Sequence, residues 1–562
     1  MSVSANAKER VELAHNAAGR AVPTMVNGKP QIPFLGAGKY HPRGRKAAPA
    51  ICSNKDYPDS GDKRVADLET ALRQCGLRAG MVISNHHHLR DGDRVALMAL
   101  EAAARIGVKD LMWFPSASFP SQEGAIELME KGVIHHIEGS MNGPLGDYCT
   151  QGKMRGMGVL RSHGGRYQAI QDGDVHIDVA VIAAPAADSF GNADGSHGKS
   201  ACGLLGFALA DSIYADRVIV VTDNLVPFPC VPWQIQGNNV DFVVEVESIG
   251  DPEKIVSGTT QITRSPDRLR IAELVALFLR TAGIMKNGFS FQAGAGGIAL
   301  AFVEYLKQMM KDDGVKARFV RGGSTKFLVE LLQEGLTDYI LDGQTFDLDG
   351  VKSIANDPRH VATSPFTSYN YHGKGNFASL VDAVVLGATE VDVNFNANVV
   401  THSDGRLLHG IGGWQNCLFA GCTILAVPSF RDRIPVIVDE VTTITGPGEL
   451  VDAIVTERGI AINPRRQDLL DAVKGKGLPI RTIEEIKAEV EQICGGKPAK
   501  PRLGDRPVAV VKWVDGTVLD TVWEVLDDNP YAAKVAGGGM TRGLLLCARA
   551  ADVGPRARRF LG

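Results

Sequence analysis

Short apolar strand-like runs alternate with helix-like segments along this chain, and the alternation occurs twice. In the first stretch, residues 65–75 and 93–106 have helical periodicity. Residues 81–84, 110–114, 179–184, 217–222 and 240–246 have the composition of buried strands. A polar segment follows at 251–267, with Gly250, Pro252, Gly258 and Pro266 in or beside it. The pattern then resumes, with helices at 268–282, 297–310 and 326–334 and strands at 289–292, 318–320, 382–386, 423–427 and 434–438. Strands separated by helices form mostly parallel sheets covered on both faces. The expected architecture is therefore α/β, with two similar domains facing each other across a cleft. Its parts are an N-terminal arm at 1–60, domains at 61–260 and 261–525, and an extension at 526–562 of open role that ends in Arg556, Arg558 and Arg559.

Size and charge agree with this division. A chain of 562 residues exceeds one core. A net charge of -4 gives no global attraction to nucleic acid or to an anionic membrane. Residues 1–20 lack an apolar signal segment, and the longest apolar runs, such as 179–187, fall short of the roughly 18 residues a spanning helix requires. The nine cysteines form no CxxC pair, so neither a zinc site nor a disulfide framework is expected. A cytoplasmic enzyme is the expectation.

Four segments carry candidate chemistry. In 289–300 a strand enters the turn Gly294-Ala295-Gly296-Gly297, whose N–H groups can bind a phosphate or a developing oxyanion. The spacing also fits a dinucleotide fingerprint weakly. The next strand ends at Arg321 and not at an acid, which disfavours NAD and leaves NADP open. The second segment joins 390–398, an alternating strand with Asn394 and Asn396, to 404–416. There Gly412 and Gly413 lie beside Gln415 and Asn416. It reads either as an oxyanion loop or as a hairpin turning at Asp404-Gly405. The third is 84–90. His86, His87 and His88 are adjacent, so they point to opposite faces and can hardly share one metal ion; anion binding with Arg90 competes with plain loop histidines. The fourth, 183–192, ends a buried strand, where open sheets bind ligands, yet Asp188 and Asn192 could simply cap the turn.

Taken together these segments resemble the α subunit of citrate lyase, within the broader CoA-transferase family. The resemblance rests on 83–88, 183–192, 200–203, 248–252, 294–297, 321–325, 390–398, 409–416, 455–460 and 515–520, in that order, and runs from about residue 10 to 525. It implies two CoA-transferase-type domains and a transferase that exchanges acetate for citrate on an acyl carrier. A β subunit would then cleave the citryl thioester. The implied partners are that β subunit and the acyl carrier (γ) subunit, in a hetero-oligomer without nucleic acid or membrane. The CoA-like prosthetic group, phosphoribosyl-dephospho-CoA, would sit on the carrier, leaving no covalent cofactor on this chain. Gly296, Gly297, Gly412, Gly413, Gln415 and Asn416 become candidates for catalysis. His87, His88, Arg90, Arg321, Ser324, Asn394, Asn396 and Arg406 become candidates for substrate binding, and Gly294, Ala295 and Gly296 for the carrier's group; no metal is implied. Alternatives are a CoA-transferase or hydrolase acting on free acyl-CoA, a malonate-specific carrier transferase, and a silent scaffold. Many CoA-transferases carry a nucleophilic Glu where this chain has Arg321-Gly-Gly-Ser-Thr325. A direct mixed-anhydride route is therefore expected.

Overall fold

The computed structural model describes residues 11–527, apart from 43–45, 52, 59, 257–260 and 374. Two large sheets organise them, one of ten strands and one of eight. In the first half the strands, in chain order, are Val82–Asn85, Leu111–Pro115, Ile134–Gly139, Gly158–Leu160, Val179–Ala184, Arg217–Thr222 and Phe242–Glu245. In the second they are Ser290–Ala293, Ala317–Ser324, Thr337–Thr345, His360–Ala362, Ala383–Leu386, Thr423–Ala426 and Ala453–Thr456. Counted within each half, both sheets run fourth, third, second, first, fifth, sixth, seventh, with parallel pairing throughout. The two halves are thus one topology used twice. In each, the chain reverses its direction of winding between the first and fifth strands, and crevices form at the carboxyl ends of strands there.

Why these segments are strands follows from burial. Val179–Ala184 is covered along its whole length, as is Ala383–Leu386, so neither can alternate polar and apolar residues. Helices cover the faces. Pro266–Thr281 begins with Pro in its first turn and buries Ile271, Leu274, Val275 and Phe278, and Gly297–Asp313 ends at Gly314 in the left-handed conformation.

Four expectations from the sequence need correction. Residues 503–525, assigned to the second half by chain order, form the hairpin Leu503–Lys512/Val518–Val525. It joins the first sheet by parallel pairing with Gly158–Leu160. Its inner residues Val510, Val511 and Leu519 are fully buried, and the free edge of the first sheet is where they can be covered. The strand expected at 318–320 runs to Ser324, so 321–324 is strand and not loop; a bulge at Gly322/Gly323, with Gly322 at φ 129°, carries it on. Residues 390–398 are a hairpin, Glu390–Asp392 against Ala397–Asn398, and not one strand. Residues 434–438 form two short strands outside the main sheet. Asp404-Gly405 does turn the chain, with Gly405 at φ 91° and Thr401 bridging Leu407.

The N-terminal arm wraps the terminal hairpin. Asn16 Nδ2 donates to Leu519 O at 2.7 Å, and Phe34 packs edge-on against Trp513. The extension beyond 527, including Arg556, Arg558 and Arg559, lies outside the described residues.

Candidate active site between the two halves

Backbone N–H groups at the docking surface donate across it to backbone and asparagine oxygens. His163 N donates to Gly412 O at 2.8 Å, Gly164 N to Asn416 Oδ1 at 3.0 Å, and Gly410 N to Asn142 Oδ1 at 3.0 Å. A Cβ on Gly164 would sit 2.2 Å from Tyr369 O, and one on Gly203 2.1 Å from Thr345 Oγ1. Glycine is needed at both because the two halves touch there.

Three polar groups meet along this seam. The first comes from the second sheet. Gln292 and Arg321 are register partners on adjacent strands, and Arg321 Nη1 donates to Gln292 Oε1 at 3.0 Å. Gln292 Nε2 donates to Tyr369 Oη at 3.2 Å and to Cys417 Sγ at 2.9 Å. The guanidinium lies 4.7 Å from the Tyr369 ring centroid. Arg321 is 0% exposed and has no carboxylate within ion-pair distance; its Nε and Nη2 have no partner. A buried cation without a counter-charge costs several kcal/mol, and a bound anion would recover that cost. Two carboxylates of the second half, Asp342 and Glu390, are already saturated. Asp342 accepts from Ser324, Gln344 N, Thr345 and His360, and Glu390 accepts from Asn398 and Thr442.

The second group comes from the first sheet. His87 Nδ1 lies 2.7 Å from Ser116 Oγ and Nε2 3.3 Å from Gln344 Oε1, across the seam. With Gln344 Oε1 as acceptor, Nε2 carries the proton. Burial first, with the basic neighbours His163 and Arg90 beside it, pushes His87 well below the usual histidine range, so the ring is neutral. His163 stacks on it at 5.3 Å, and burial lowers its pKa to about 3. Arg90, at φ 53°, lies over the rings of Phe346 and Phe119 at 4.4 and 5.3 Å. Burial lowers its pKa to about 10, which still leaves it charged at neutral pH. Beneath the histidines, Asp211 binds His86, Ser84 and Arg166. Burial opposes its charge, but Arg166 and His86 hold the carboxyl at about 2.

The third group is the loop Gly410–Gly413. Gly412 has φ 63°, and a Cβ built on Gly413 would lie 3.0 Å from Tyr369 Oη. The loop therefore abuts the Tyr369 that stacks on Arg321.

Of the sequence candidates, His87, Arg90, Arg321, Gly412 and Gly413 come together at the seam. Gln415 and Asn416 adjoin it as braces. Gln415 Nε2 donates to Thr445 O and Lys512 O, and Asn416 holds Gly164. Gly296 lies open, with nothing within 4 Å of a built Cβ, whereas a Cβ on Gly297 would meet Gln261 O at 2.9 Å. Gly294 and Ala295 occupy the same turn, after Gln292. His88 is buried against His86 with both ring nitrogens unpartnered. Ser324 is committed to Asp342. Asn394 and Asn396 form the turn around Asp392, and Arg406 forks onto Asp404, with Asp147 of the first half close by. Sequence reading missed Tyr369, Gln344, His163 and the role of Gln292. Among the described residues, a histidine–carboxylate group tight enough to share an ion occurs at His176, Asp178 and Asp216, at some exposure, and not at 86–88.

A family model for the citrate lyase alpha subunit matches residues 61–525. The citrate lyase alpha chain of Klebsiella pneumoniae is 40% identical over 471 residues, covering 83% of this chain and 92% of that one. The chain belongs to the citrate lyase alpha subunit family. A solved Streptococcus mutans structure described as the alpha subunit of citrate lyase, in complex with citrate, superposes with a TM-score of 0.87. It is 39% identical and covers 91% of this chain and 100% of that one. The malonate decarboxylase alpha subunit of Acinetobacter baumannii, 18% identical with a TM-score of 0.56, covers 78% of this chain and 90% of its own, and shares the fold. Among the described residues, no helix of this citrate lyase alpha family member is long and apolar enough to cross a membrane.

Proposed function

We propose that this chain is the transferase subunit of a citrate lyase, converting an acetyl-carrier thioester and citrate into the citryl-carrier thioester and acetate. The observation that carries the reading is Arg321: fully buried, unpaired, and oriented by Gln292 where many CoA-transferases carry a nucleophilic Glu. A citrate carboxylate bound there attacks the acetyl carbonyl carbon. The C–S bond breaks, giving a mixed anhydride and the carrier thiolate. The thiolate then adds to the citryl carbonyl of the anhydride, and acetate leaves with the bridging oxygen. Atoms and charge balance without a covalent enzyme intermediate. The chain's part is positioning and oxyanion stabilisation. In this reading Arg321 and Arg90 offset citrate charge, the Gly412–Gly413 N–H groups serve the developing oxyanion, and the neutral His87 holds Gln344 across the seam through Nε2. A β subunit and an acyl carrier complete the assembly in this reading, with the CoA-like group on the carrier. Citrate bound to the Streptococcus mutans relative supports the choice of acceptor.

The test is acetate release from acetyl-carrier, or from an acetyl-CoA surrogate, by the purified chain. Release that requires citrate and yields a citryl thioester is expected. Equal release without citrate would make the chain a hydrolase.

A further inference from the structure

Two junctions between the halves are built alike and differ in whether they are filled. Ser162 and Ser364 each follow the fourth strand of their half and cap the helix behind it, His163–Asp172 in one half and Pro365–Ser368 in the other. Each helix start meets a glycine of the opposite half. Gly206 O accepts from Ser364 Oγ at 2.9 Å, and Gly412 O accepts from His163 N at 2.8 Å. The first junction is closely packed: a Cβ on Gly206 would lie 3.1 Å from Pro365 Cδ and 3.2 Å from Ser364 Cα. The second is open. Among the described residues, a Cβ on Gly412 would meet only His163 Nε2 within 4 Å beyond its chain neighbours, at 3.9 Å. Proline fills one gap, and an imidazole lines the other.

His163 also differs from the other seam histidines in being reachable. Its side chain is half-buried. Its ring nitrogens form no hydrogen bond among the described residues. Unlike both nitrogens of His88 and Nδ1 of His86, they are not sealed from solvent. His87 stacks on the ring at 5.3 Å and Phe207 stands edge-on at 4.6 Å, which fixes it beside the Gly410–Gly413 loop. A held polar ring without an internal partner, at a gap that glycine keeps clear, fits a ligand oxygen.

We propose that His163 is a further catalytic residue, donating from Nε2 to the carbonyl oxygen of the acyl thioester that the Gly412–Gly413 N–H groups also bind. This rests on the transferase reading above and adds one residue to it. The charge state of the ring suits the chemistry. Burial in the seam, then the charge on Arg166, lowers its pKa to about 3. His163 also opens its helix, where the dipole disfavours a further positive charge. The mixed-anhydride route moves no net proton, because the thiolate that leaves must return as the nucleophile. An imidazolium beside it would protonate that thiolate and stop the second step. A neutral N–H stabilises the oxygen and keeps its proton.

Diethyl pyrocarbonate acylates unprotonated, reachable imidazoles, so peptide mapping of the labelled full chain tests the placement without any turnover. The rate at His163 should change less than about twofold between about pH 5 and 8, whereas an ordinary histidine slows about 30-fold as it protonates. Saturating acetyl-CoA, as the carrier surrogate, should slow labelling of His163 about fivefold or more by covering the ring. In turnover, His163→Ala should lower kcat about 100-fold, the usual cost of one oxyanion donor, with both KM values within about threefold. His163→Gln offers an amide N–H near the Nε2 position and should recover about tenfold of that loss. Both variants keep the backbone N–H that holds Gly412. Labelling that acetyl-CoA does not slow, or that follows ordinary histidine protonation, overturns the proposal. So does His163→Ala turning over at the parent rate, or His163→Gln no faster than His163→Ala. A parent chain that transfers nothing defeats the function proposed above, and protection by acetyl-CoA then still decides whether His163 meets the thioester.

Discussion

Arg321 Nη1 donates to Gln292 Oε1 at 3.0 Å, and that single bond leaves Nε and Nη2, on the rest of the guanidinium, with no partner in a fully buried site. Gln292 in turn is held by Tyr369 and Cys417, so the guanidinium is set by a chain of neutral groups and keeps its charge for a ligand. A carboxylate in place of Gln292 would cancel that charge.

Replacing Arg321 by Lys should raise the KM for citrate about 10- to 100-fold, the worth of one or two charged hydrogen bonds, with a smaller change in the KM for acyl-carrier. Gln292→Glu should do the same while keeping side-chain volume. Steady-state kinetics with each substrate varied in turn checks both; equal effects on the two KM values would remove Arg321 from citrate binding.

The two glycine loops should answer differently to a side chain. A Cβ on Gly413 meets Tyr369 at 3.0 Å, so Gly413→Val should lower both turnover and melting temperature. Gly296 has nothing within 4 Å, so Gly296→Val should leave the melting temperature near that of the parent and lower turnover by obstructing the carrier's approach. Thermal melts beside initial rates separate the two. Normal turnover in Gly296→Val would reduce that turn to a structural role.

A pH-dependent weakness is built into the first half. Asp93 caps the helix Val95–Arg105 through Ala96 N at 3.1 Å, yet burial raises its carboxyl to about 7. A folded pKa above the unfolded one means this group's contribution is complete below about pH 4 and is lost as pH rises through 7. The folded state should therefore lose about 2–4 kcal/mol from this group between pH 4 and 8, and Asp93→Asn should flatten that slope. Urea titrations of parent and variant at pH 5 and pH 8 measure it; parallel pH dependence in the two would assign the slope elsewhere.

How far the sequence could be read depended on whether a residue's role is local. The strand–helix alternation is local, and it led to two similar sheets. Turn residues are local too, but their purpose is not. Asp188 accepts from the N–H groups of Phe190, Gly191 and Asn192, while Asn192 Oδ1 accepts from Gly237 N at 2.9 Å. Asp392 and Asn396 repeat this in the second half, with Gly448 N at 2.9 Å. The same staple in both halves marks Asn396 as architecture, which no single motif could reveal. Arg321 was legible as a residue type, whereas its burial and its lack of a counter-charge depend on Gln292, 29 residues away, and Tyr369 on another element. Tyr369 and Gln344 sit in segments without any pattern, and only docking of the halves gives them a role. The hairpin 503–525 was misplaced because its partner strand, Gly158–Leu160, is some 350 residues earlier in the chain, and no short-range signal encodes such a pairing.

The route itself is open to a kinetic test. If citrate attacks the acetyl thioester directly, both substrates must be bound before any product leaves, and double-reciprocal plots should intersect. A covalent glutamyl or aspartyl thioester would instead let acetate leave first and give parallel plots. Structure bears on which carboxylate could form one. Glu390 is buried and accepts from Asn398 Nδ2 at 3.0 Å and Thr442 N at 2.8 Å, and Asp342 receives four kinds of donor. A nucleophile in either place would first have to break those bonds, at roughly 1–3 kcal/mol for each buried donor left unsatisfied. Incubation with acetyl-carrier alone, followed by borohydride or hydroxylamine and peptide mass mapping, should therefore give no modified Glu or Asp. A labelled carboxylate together with parallel plots would overturn the direct route and turn attention to the residue that carried the label. Intersecting plots and an unlabelled chain would leave Arg321, with its open Nε and Nη2, as the group whose charge the attacking carboxylate meets.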